Sequence, residues 1–182
     1  LAAYTGMRRS ELLGLKWNNI DFDNNIIRVR EVLVPKNGEG SRMRDDTKTK
    51  TSTRSIKISD RVVNVLKNQK NILNKRQLRL GPKYNNKLNL VFCKTDGSKY
   101  YPTTINDKFN KIRDKAGLSK KFTPHNLRHT HATLLLKAGE HPKKVKERLG
   151  HASITETLDT YSHVVPTMQE ETAQKFDDIM SS

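Results

Sequence analysis

The apolar positions change their spacing along the chain. In the first third they alternate with polar positions, which is typical of half-buried strands, and in the second half they recur every three or four residues, as in amphipathic helices. Two strands are predicted within Ile20 to Ile27, separated by Asp-Asn-Asn, residue types that tolerate the positive φ of a tight turn. The second strand continues as a β-branched run from Ile26 to Val34, and another alternating stretch spans Arg54 to Ile58.

Capping residues and breakers set the limits of the predicted helices. Thr123-Pro124 is a cap with proline at the first helical position, Gly139 and Gly150 end two helices, and Ser153 to Glu156 forms a capping box. Helices are therefore expected at 1–15, 59–78, 103–116, 124–138, 142–149, from 154 and from 167, with a short strand at 90–93. In the helix at 59–78 the apolar side is expected to carry Val62, Val63, Val65, Leu66 and Ile72.

This order of elements predicts an α+β fold that is mainly α-helical, with a small antiparallel β-sheet near the N-terminus, in a single domain over residues 1–182. The first residues, Leu1 to Gly6, resemble the middle of a helix and have neither an initiator Met nor a cap. We therefore expect a domain cut from a longer protein.

Charge adds a class of partner to this picture. The chain has 35 Lys and Arg against 19 Asp and Glu, a formal net charge of +16. The excess is uneven, because 61–87 holds eight bases and no acid, whereas 156–182 holds six acids and one base. Such a surface favours a polyanion, of which DNA or RNA is the commonest. The alternative is a basic solubilising surface or a ribosomal-type protein.

The segment from Pro35 to Thr53 is expected to be a long, charged loop of 19 residues. Because compact domains rarely keep such loops without a function, we interpret it as a basic hairpin tip that contacts DNA. A loop without function is the alternative.

Cysteine usage and hydropathy suggest a compartment. The lone Cys93 lies in an apolar run and is expected to be a buried thiol in a reducing environment. No apolar stretch approaches the roughly 20 residues that span a bilayer, and no signal peptide is visible. We expect a cytoplasmic protein without a membrane partner.

Several polar residues are candidates for chemistry. His125 and Arg128 are spaced three apart, on one face of a predicted helix, with Leu127 turned to the core. An arginine fork beside an imidazole suits a phosphate, because arginine holds two oxygens and the imidazole can move a proton. Ordinary surface residues would have the same spacing. His151 follows Gly150 at a helix junction, where an imidazole either points into a cleft or caps a helix.

Tyr161 is expected to face inward, since it shares a helical face with Ile154, Leu158 and Val165. A core tyrosine with a satisfied hydroxyl accounts for this pattern, and a nucleophile would need activating neighbours. Glu11 lies one turn after Arg8 and can lock its orientation, unless the two form an ordinary surface ion pair.

A run of basic and hydroxyl side chains from Thr47 to Arg54 fits contacts to DNA phosphates. The more specific interpretation is that a lysine of this run is a general acid.

Four segments together resemble the tyrosine recombinases, the phage-type integrases. They are Thr-Gly-Met-Arg-Arg-Ser-Glu-Leu, Lys-Thr-Lys-Thr-Ser-Thr-Arg-Ser-Ile, Thr-Pro-His-Asn-Leu-Arg-His-Thr-His-Ala-Thr-Leu-Leu and Leu-Gly-His-Ala-Ser-Ile-Thr-Glu-Thr-Leu-Asp-Thr-Tyr-Ser-His. They occur in the family's order and cover almost the whole chain. Asn126 stands where the family commonly has Asp, and Lys57 where proline is frequent.

The resemblance implies a catalytic set of Arg8, Lys48, His125, Arg128, His151 and Tyr161. Tyr161 would attack the scissile phosphate and form a 3′-phosphotyrosine, while the two arginines clamp its non-bridging oxygens. Lys48, or else Lys50, would protonate the leaving 5′-oxygen, and the histidines would move the tyrosine proton and hydrogen-bond the phosphate. Neither a metal nor a nucleotide cofactor is expected, and zinc at the histidines at 125, 129 and 131 is disfavoured by their setting in the arginine box.

The resemblance also implies partners. Site-specific recombination, integration or excision, joins two DNA duplexes and requires four protomers, so we expect double-stranded DNA, a tetramer on it, and an excisionase or a host DNA-bending protein as accessories. The acidic last segment, 167–182, is expected either to dock on a neighbouring subunit or to pack on its own domain. The alternatives for function are DNA relaxation by a type IB topoisomerase and a non-catalytic DNA-binding module.

Overall fold

The structure is a computed structural model that describes residues 1–36, 40–45, 53–162 and 176–181, except for the side chains of 160–162. Most of these residues lie in helices, and the strands are confined to the first third, so the predicted α+β class is confirmed. Two short helices open the chain, α1 (Ala2–Thr5) and α2 (Arg9–Gly14), where one segment over 1–15 was predicted. Gly6 separates them because it adopts a left-handed φ of 64°.

The first sheet contains three antiparallel strands in the order β1-β2-β5. Strands β1 (Ile20–Asp21) and β2 (Ile26–Val29) flank the predicted turn, in which Asn25 has a positive φ of 53°. Strand β5 (Arg54–Lys57) pairs with β2, so that Val29 lies opposite Arg54. The predicted strand-turn-strand and the later alternating stretch are thus confirmed.

A second sheet corrects two predictions. The expected continuous strand to Val34 is interrupted at Arg30, and β3 (Glu31–Pro35) pairs with β4 (Ser41–Asp45) in a separate sheet. Part of the segment predicted as an irregular loop is therefore a strand. Strand β3 lies against α2, where a Cβ on Gly14 would be only 2.9 Å from the Val32 Cα. Close packing of two backbones explains what alternation along the sequence did not indicate.

Helix α3 (Asp60–Leu80) packs on the first sheet and is close to its predicted limits. Its buried residues are Val62, Val63, Leu66 and Leu73, whereas Val65 and Ile72 are exposed, contrary to the prediction. A helix turns 100° per residue, so the buried side follows 62, 66 and 73 and leaves 65 and 72 on the flank.

The predicted strand at 90–93 is absent from the described residues. Instead, a single β-bridge joins Leu90 to Lys16, and the Val91 amide donates to the Leu15 carbonyl at 2.9 Å. The run is buried because Val91 packs into the core of the first sheet, while Leu90 and Cys93 pack with Leu73 of α3. Cys93 is buried as expected, with its sulfur 3.6 Å from the Tyr84 hydroxyl.

Four helices follow: α4 (Pro102–Lys115), α5 (Pro124–Lys137), α6 (Pro142–Leu149) and α7 (Ile154–Ser162). All four agree with prediction to within two residues at each limit that was predicted. Ala132 and Leu136 of α5 form a small core with Val145 and Leu149 of α6. Leu127 is only partly buried, and Arg128 occupies the buried side of α5 in its place, which corrects the prediction for Leu127.

Residues 176–180 are helical, and 163–175, which include the start of the predicted last helix, lie outside the described residues. No described helix is both long enough and apolar enough to cross a membrane.

Candidate active site

Arg8 lies at the junction of α1 and α2 and is fixed by Glu11. The Arg8 amide donates to Glu11 Oε2 at 2.7 Å, and its Nη1 donates to Glu11 Oε1 at 2.9 Å. Its Nη2 donates to the carbonyl oxygen of Gly150, 142 residues away, at 2.9 Å. The predicted pairing with Glu11 is therefore confirmed, but it is not a surface pair, because Glu11 is completely buried. Arg8 keeps 36% of its side chain exposed, toward a cavity.

Glu11 is shared with a second arginine. Arg54 Nη1 and Nη2 donate to the two carboxylate oxygens at 3.0 and 2.8 Å, in a bidentate pair. Burial alone would raise the pKa of Glu11, but the hydrogen bonds and charge of Arg54, and then of Arg8, outweigh it and lower that pKa. Glu11 is therefore ionised and orients Arg8.

Arg128 is the buried arginine of the site, with 3% of its surface exposed. Its Nη1 donates to the Gly6 carbonyl at 2.8 Å, whereas its Nη2 is buried and has no hydrogen-bond partner among the described residues. Burial, followed by the positive charge of Arg8, lowers the pKa of Arg128 to about 10, so the guanidinium stays charged at neutral pH. A buried charged donor without a partner is costly unless an anion binds there.

His125 completes a cavity with these arginines. It is exposed at the start of α5, one turn before Arg128. A cavity of about 550 Å³ is lined by both residues together with Arg8, and by Asn106 and Asn110 of α4. The helix start is fixed by Asn126, whose Oδ1 accepts from the Thr123 amide and hydroxyl, both at 2.7 Å. Thr123 is thus the N-cap, and Asn126 completes the capping box at the position where the family commonly has Asp.

His151 follows the end of α6, where Gly150 turns the chain with a φ of 69°. The side chain is buried, with Nδ1 2.7 Å from the Thr157 hydroxyl and Nε2 3.3 Å from Glu156 Oε1. Burial, and then the charges of Arg128 and Arg8, lower the pKa of His151 to about 4. At neutral pH the ring is thus uncharged, and its contact with Glu156 is a hydrogen-bond contact and not an ion pair.

A cavity of about 260 Å³ joins this histidine to the arginine box. Its lining includes His125, Arg128, His151 and Glu156. His151 therefore faces a cleft, and Thr157, a residue that the sequence did not single out, orients it.

Tyr161 lies in the last turn of α7, four residues after Thr157. The predicted inward face is wrong for two of its members, because Ile154 and Leu158 are 37% and 42% exposed, while Thr157 is completely buried. The side of α7 that carries Thr157, and not the predicted apolar side, faces the core and contacts His151. The spacing of apolar residues does not indicate this contact. The Tyr161 side chain and Val165 lie outside the described residues.

Lys48 and Lys50 also lie outside the described residues, between β4 and β5. Arg54, at the end of the same basic segment, was expected to contact phosphates. Instead only 6% of its side chain is exposed, and its Nε donates to the Arg148 carbonyl at 2.8 Å while both Nη atoms hold Glu11. It therefore belongs to the support of the site.

His131 has a structural role in the same region. Its Nδ1 lies 2.9 Å from the Ala3 carbonyl oxygen, and Arg148 Nε donates to its Nε2 at 3.1 Å. The ring must therefore be the neutral tautomer that donates from Nδ1. Burial lowers the pKa of His131. The contact with the Ala3 carbonyl opposes this shift, and the positive charge of Arg148 adds to it. Within the described part of the chain, no three His, Cys, Asp or Glu side chains are grouped to hold a metal ion.

The arrangement is that of a binding site for a compact anion. Arg8 and Arg128 line one cavity, and His125 and His151 line the adjoining one. Buried behind them, Glu11 accepts hydrogen bonds from Arg8 and from Arg54. Of the six residues predicted from the sequence, four are thus brought together. Lys48 and the side chain of Tyr161 remain predictions.

Comparisons with known proteins relate the whole chain to one family. The sequence profile of the phage integrase family matches residues 1–168. The chain is 33% identical over 189 residues to a tyrosine recombinase XerC-like protein of Caldanaerobacter subterraneus subsp. tengcongensis, an alignment that covers 98% of this chain and 48% of that protein. It is 32% identical over 179 residues to the integrase of Staphylococcus phage L54a, with 98% and 50% covered.

Among solved structures, the Tn1549 transposon integrase in complex with transposon right end DNA is similar in fold, with a TM-score of 0.75 and 29% identity. That similarity covers 88% of this chain and 51% of the integrase chain. The chain therefore spans about half the length of the curated relatives and of the solved structure that it matches.

Proposed function

The chain belongs to the phage integrase family, and we propose that it carries out site-specific DNA recombination through a covalent 3′-phosphotyrosine on Tyr161. The observation that carries the proposal is the buried Nη2 of Arg128, a charged donor without a partner among the described residues, in a cavity that it shares with Arg8 and His125. A DNA phosphate supplies the anion that this donor lacks. The similar Tn1549 integrase was solved in complex with transposon DNA, which supports DNA as the substrate.

In the proposed reaction the Tyr161 oxygen attacks the scissile phosphorus in line with the 5′-oxygen. The new bond joins the tyrosine to phosphorus as the bond to the 5′-oxygen breaks. The phenol proton passes to His125, and the leaving oxygen takes a proton from Lys48. Because the phosphotyrosine retains the energy of the broken bond, the 5′-hydroxyl of a partner strand can reverse the step and rejoin the DNA.

Arg8 and Arg128 stabilise the charge that builds on the non-bridging oxygens. Both guanidiniums are held before DNA arrives, Arg8 by Glu11 and Gly150 and Arg128 by Gly6, so little reorganisation is needed in the transition state. His151 is neutral, with Nδ1 held by Thr157 and Nε2 in contact with Glu156, and its Nε2 can donate to the phosphate if the phosphate replaces Glu156 as the acceptor.

The test is covalent capture of DNA. Since the target sequence is not given by the chain, the probe is a library of nicked duplexes with a randomised core, from which the short 5′-hydroxyl strand diffuses away after cleavage. The unaltered chain should give a protein–DNA adduct on a denaturing gel, and Tyr161→Phe should give none. Absence of any adduct with the unaltered chain, or an adduct that persists in Tyr161→Phe, contradicts the proposal.

The same captured DNA separates recombinase from the alternative of a type IB topoisomerase. A recombinase exchanges strands between two labelled duplexes that carry the captured sequence, whereas a topoisomerase only relaxes supercoiled DNA. A non-catalytic binding module gives neither product.

Lys48 is proposed as the general acid, with Lys50 as the alternative. DNA with sulfur in place of the scissile 5′-oxygen distinguishes them, since a thiolate leaves without protonation. The variant that lacks the true general acid should be slow on ordinary DNA and close to the unaltered chain on the sulfur-substituted DNA. If neither Lys48→Ala nor Lys50→Ala recovers in this way, neither lysine is the acid.

A tetramer on DNA is also proposed, with the last segment docking on a second copy. Phe176, Ile179 and Met180 are 61%, 71% and 72% exposed and lie on one side of the helical residues 176–180, which is unusual for a solvated helix end. Deletion of 166–182 should abolish higher-order assembly on the captured DNA while a single copy still binds. Unchanged assembly contradicts the docking proposal and favours packing on the chain's own domain.

A further inference from the structure

We propose that Arg54 is the positioning residue of the site, which holds Arg8 and the loop before His151 in one rigid unit. The inference rests on the proposed function, because positioning matters only if Arg8 and His151 act on a phosphate. Arg54 itself is not a phosphate ligand, since 6% of its side chain is exposed and all three of its guanidinium nitrogens have partners.

The first contact runs through Glu11 to Arg8. Arg54 occupies both oxygens of the Glu11 carboxylate, and the same two oxygens receive the amide and the Nη1 of Arg8. Glu11 can swing only if it breaks a bidentate pair in a buried setting. Arg54 therefore sets the direction of the Arg8 guanidinium indirectly, through Glu11.

The second contact runs to the end of α6. Arg54 Nε donates to the Arg148 carbonyl at 2.8 Å, and the Arg54 side chain lies directly against Gly150, where an added Cβ would be 3.0 Å from its Nη1. The Gly150 carbonyl accepts from Arg8 Nη2, so the contacts form a closed ring from Arg8 through Glu11 and Arg54 back to Gly150. His151 directly follows Gly150, so the ring of contacts fixes the backbone that precedes it.

The third contact is through the backbone. Arg54 begins β5 and lies opposite Val29 of β2, so its backbone is fixed by the first sheet. The Arg54 side chain thus lies where the supports of two proposed catalytic groups, Arg8 and His151, meet. A lysine at this position keeps the charge but lacks the planar fork that holds both Glu11 oxygens.

The test compares Arg54→Lys with a matched control, Arg28→Met. Arg28 lies in the neighbouring strand β2 and forms a more exposed ion pair with Asp21, away from the site. Each variant is assayed on the captured DNA at saturation, well below its melting temperature, for the rate of adduct formation, and separately for the DNA dissociation constant. Arg54→Lys should slow adduct formation by roughly 100-fold, the effect of misplacing a reacting group by about 1 Å, at an unchanged dissociation constant. Arg28→Met should leave the rate unaltered.

A second readout separates positioning from a general loss of structure. If a methyl group replaces one non-bridging oxygen of the scissile phosphate, part of the charge that Arg8 neutralises is gone. The deficit of Arg54→Lys should then shrink to less than about tenfold, as it should for Arg8→Ala, whereas a partly unfolded protein is equally impaired on both DNAs. An equal deficit on both DNAs, or no deficit on ordinary DNA, overturns the proposal.

Failure of the proposed function would be recognised separately, because the unaltered chain would then form no adduct. The positioning claim can still be read from the Nε–H resonance of Arg8 in a ¹H–¹⁵N spectrum without DNA. That resonance should move in Arg54→Lys and stay in place in Arg28→Met. An unmoved Arg8 resonance in Arg54→Lys overturns the claim whatever the chain does to DNA.

Discussion

Replacing Glu11 with glutamine removes the charge that two arginines share inside the fold. Glu11 is completely buried and accepts four hydrogen bonds, two from Arg8 and two from Arg54. A glutamine keeps one acceptor oxygen and turns an NH₂ group toward a guanidinium, so that donors face each other. Removing one partner of a buried ion pair costs about 3–5 kcal/mol, because the remaining charge is left uncompensated.

That loss is large enough to measure by thermal unfolding. For a domain of this size about 1 kcal/mol shifts the melting temperature by roughly 2–4 °C, so Glu11→Gln should melt about 6–20 °C lower at neutral pH. Glu140→Gln is the matched control, because Glu140 pairs with Lys144 at 3.1 Å on the surface and should melt close to the unaltered chain. A Glu11→Gln midpoint as close to the unaltered chain as that of the control would refute the reasoning.

The pH dependence has a definite sign. The folded-state pKa of Glu11 is lowered, so its contribution to stability is complete above its unfolded pKa, near 4.3, and is lost as pH falls through the lower folded value. The gap between the melting temperatures of the unaltered chain and Glu11→Gln should therefore be constant from about pH 8 to 5.5 and narrow below about pH 4. A gap that widens on acidification would contradict the assignment of Glu11 as an ionised group.

Three further predictions follow from the contacts of the site. The imidazole of His151 should titrate near pH 4 by NMR in the DNA-free chain, and a midpoint at its ordinary value of about 6.5 would contradict its burial beside the arginines. Thr157→Val should slow adduct formation by roughly fivefold, since a hydrogen bond of about 1 kcal/mol to His151 Nδ1 is lost, while Thr157→Ser should be close to normal; equal rates for the two would exclude the contact. Gly150→Ala should lower the melting temperature by several degrees, because a left-handed φ costs a side chain about 1–2 kcal/mol and the new Cβ meets Arg54; an unchanged midpoint would contradict this packing.

The helices after residue 100 could be predicted closely because residues next to their ends, chiefly proline and glycine, determine where they begin and end. Proline at the first position and glycine past the last one set the limits of α6 at Pro142 and Leu149, as the structure has them. The clustering of Arg8, His125, Arg128 and His151 could not be derived from spacing, and only the resemblance to a family indicated it. Their convergence depends on the Gly6 and Gly150 carbonyls, which accept from Arg128 and Arg8 across more than 120 residues of sequence.

The misassignments at the candidate site have a common physical cause. Arg54 has the sequence context of a phosphate contact, and Ile154 and Leu158 have the spacing of a buried face. In each case the deciding factor is a polar contact that the local pattern does not contain. Arg54 is buried because it pairs with the carboxylate of Glu11, and the Thr157 side of α7 is buried because it contacts His151, which precedes the helix. Apolar and basic patterns indicate what a side chain prefers on average, and they do not indicate which polar group it contacts in the fold.

The central claim is that Arg8 and Arg128 hold one phosphate beside Tyr161. A crystal structure of Tyr161→Phe with the captured DNA tests it most directly. The account predicts guanidinium nitrogens of both arginines at about 2.7–2.9 Å from non-bridging oxygens of the same scissile phosphate, with the Arg128 Nη2 among them. A scissile phosphate bound beside residue 161 while either arginine contacts a different phosphate, or none, would contradict it.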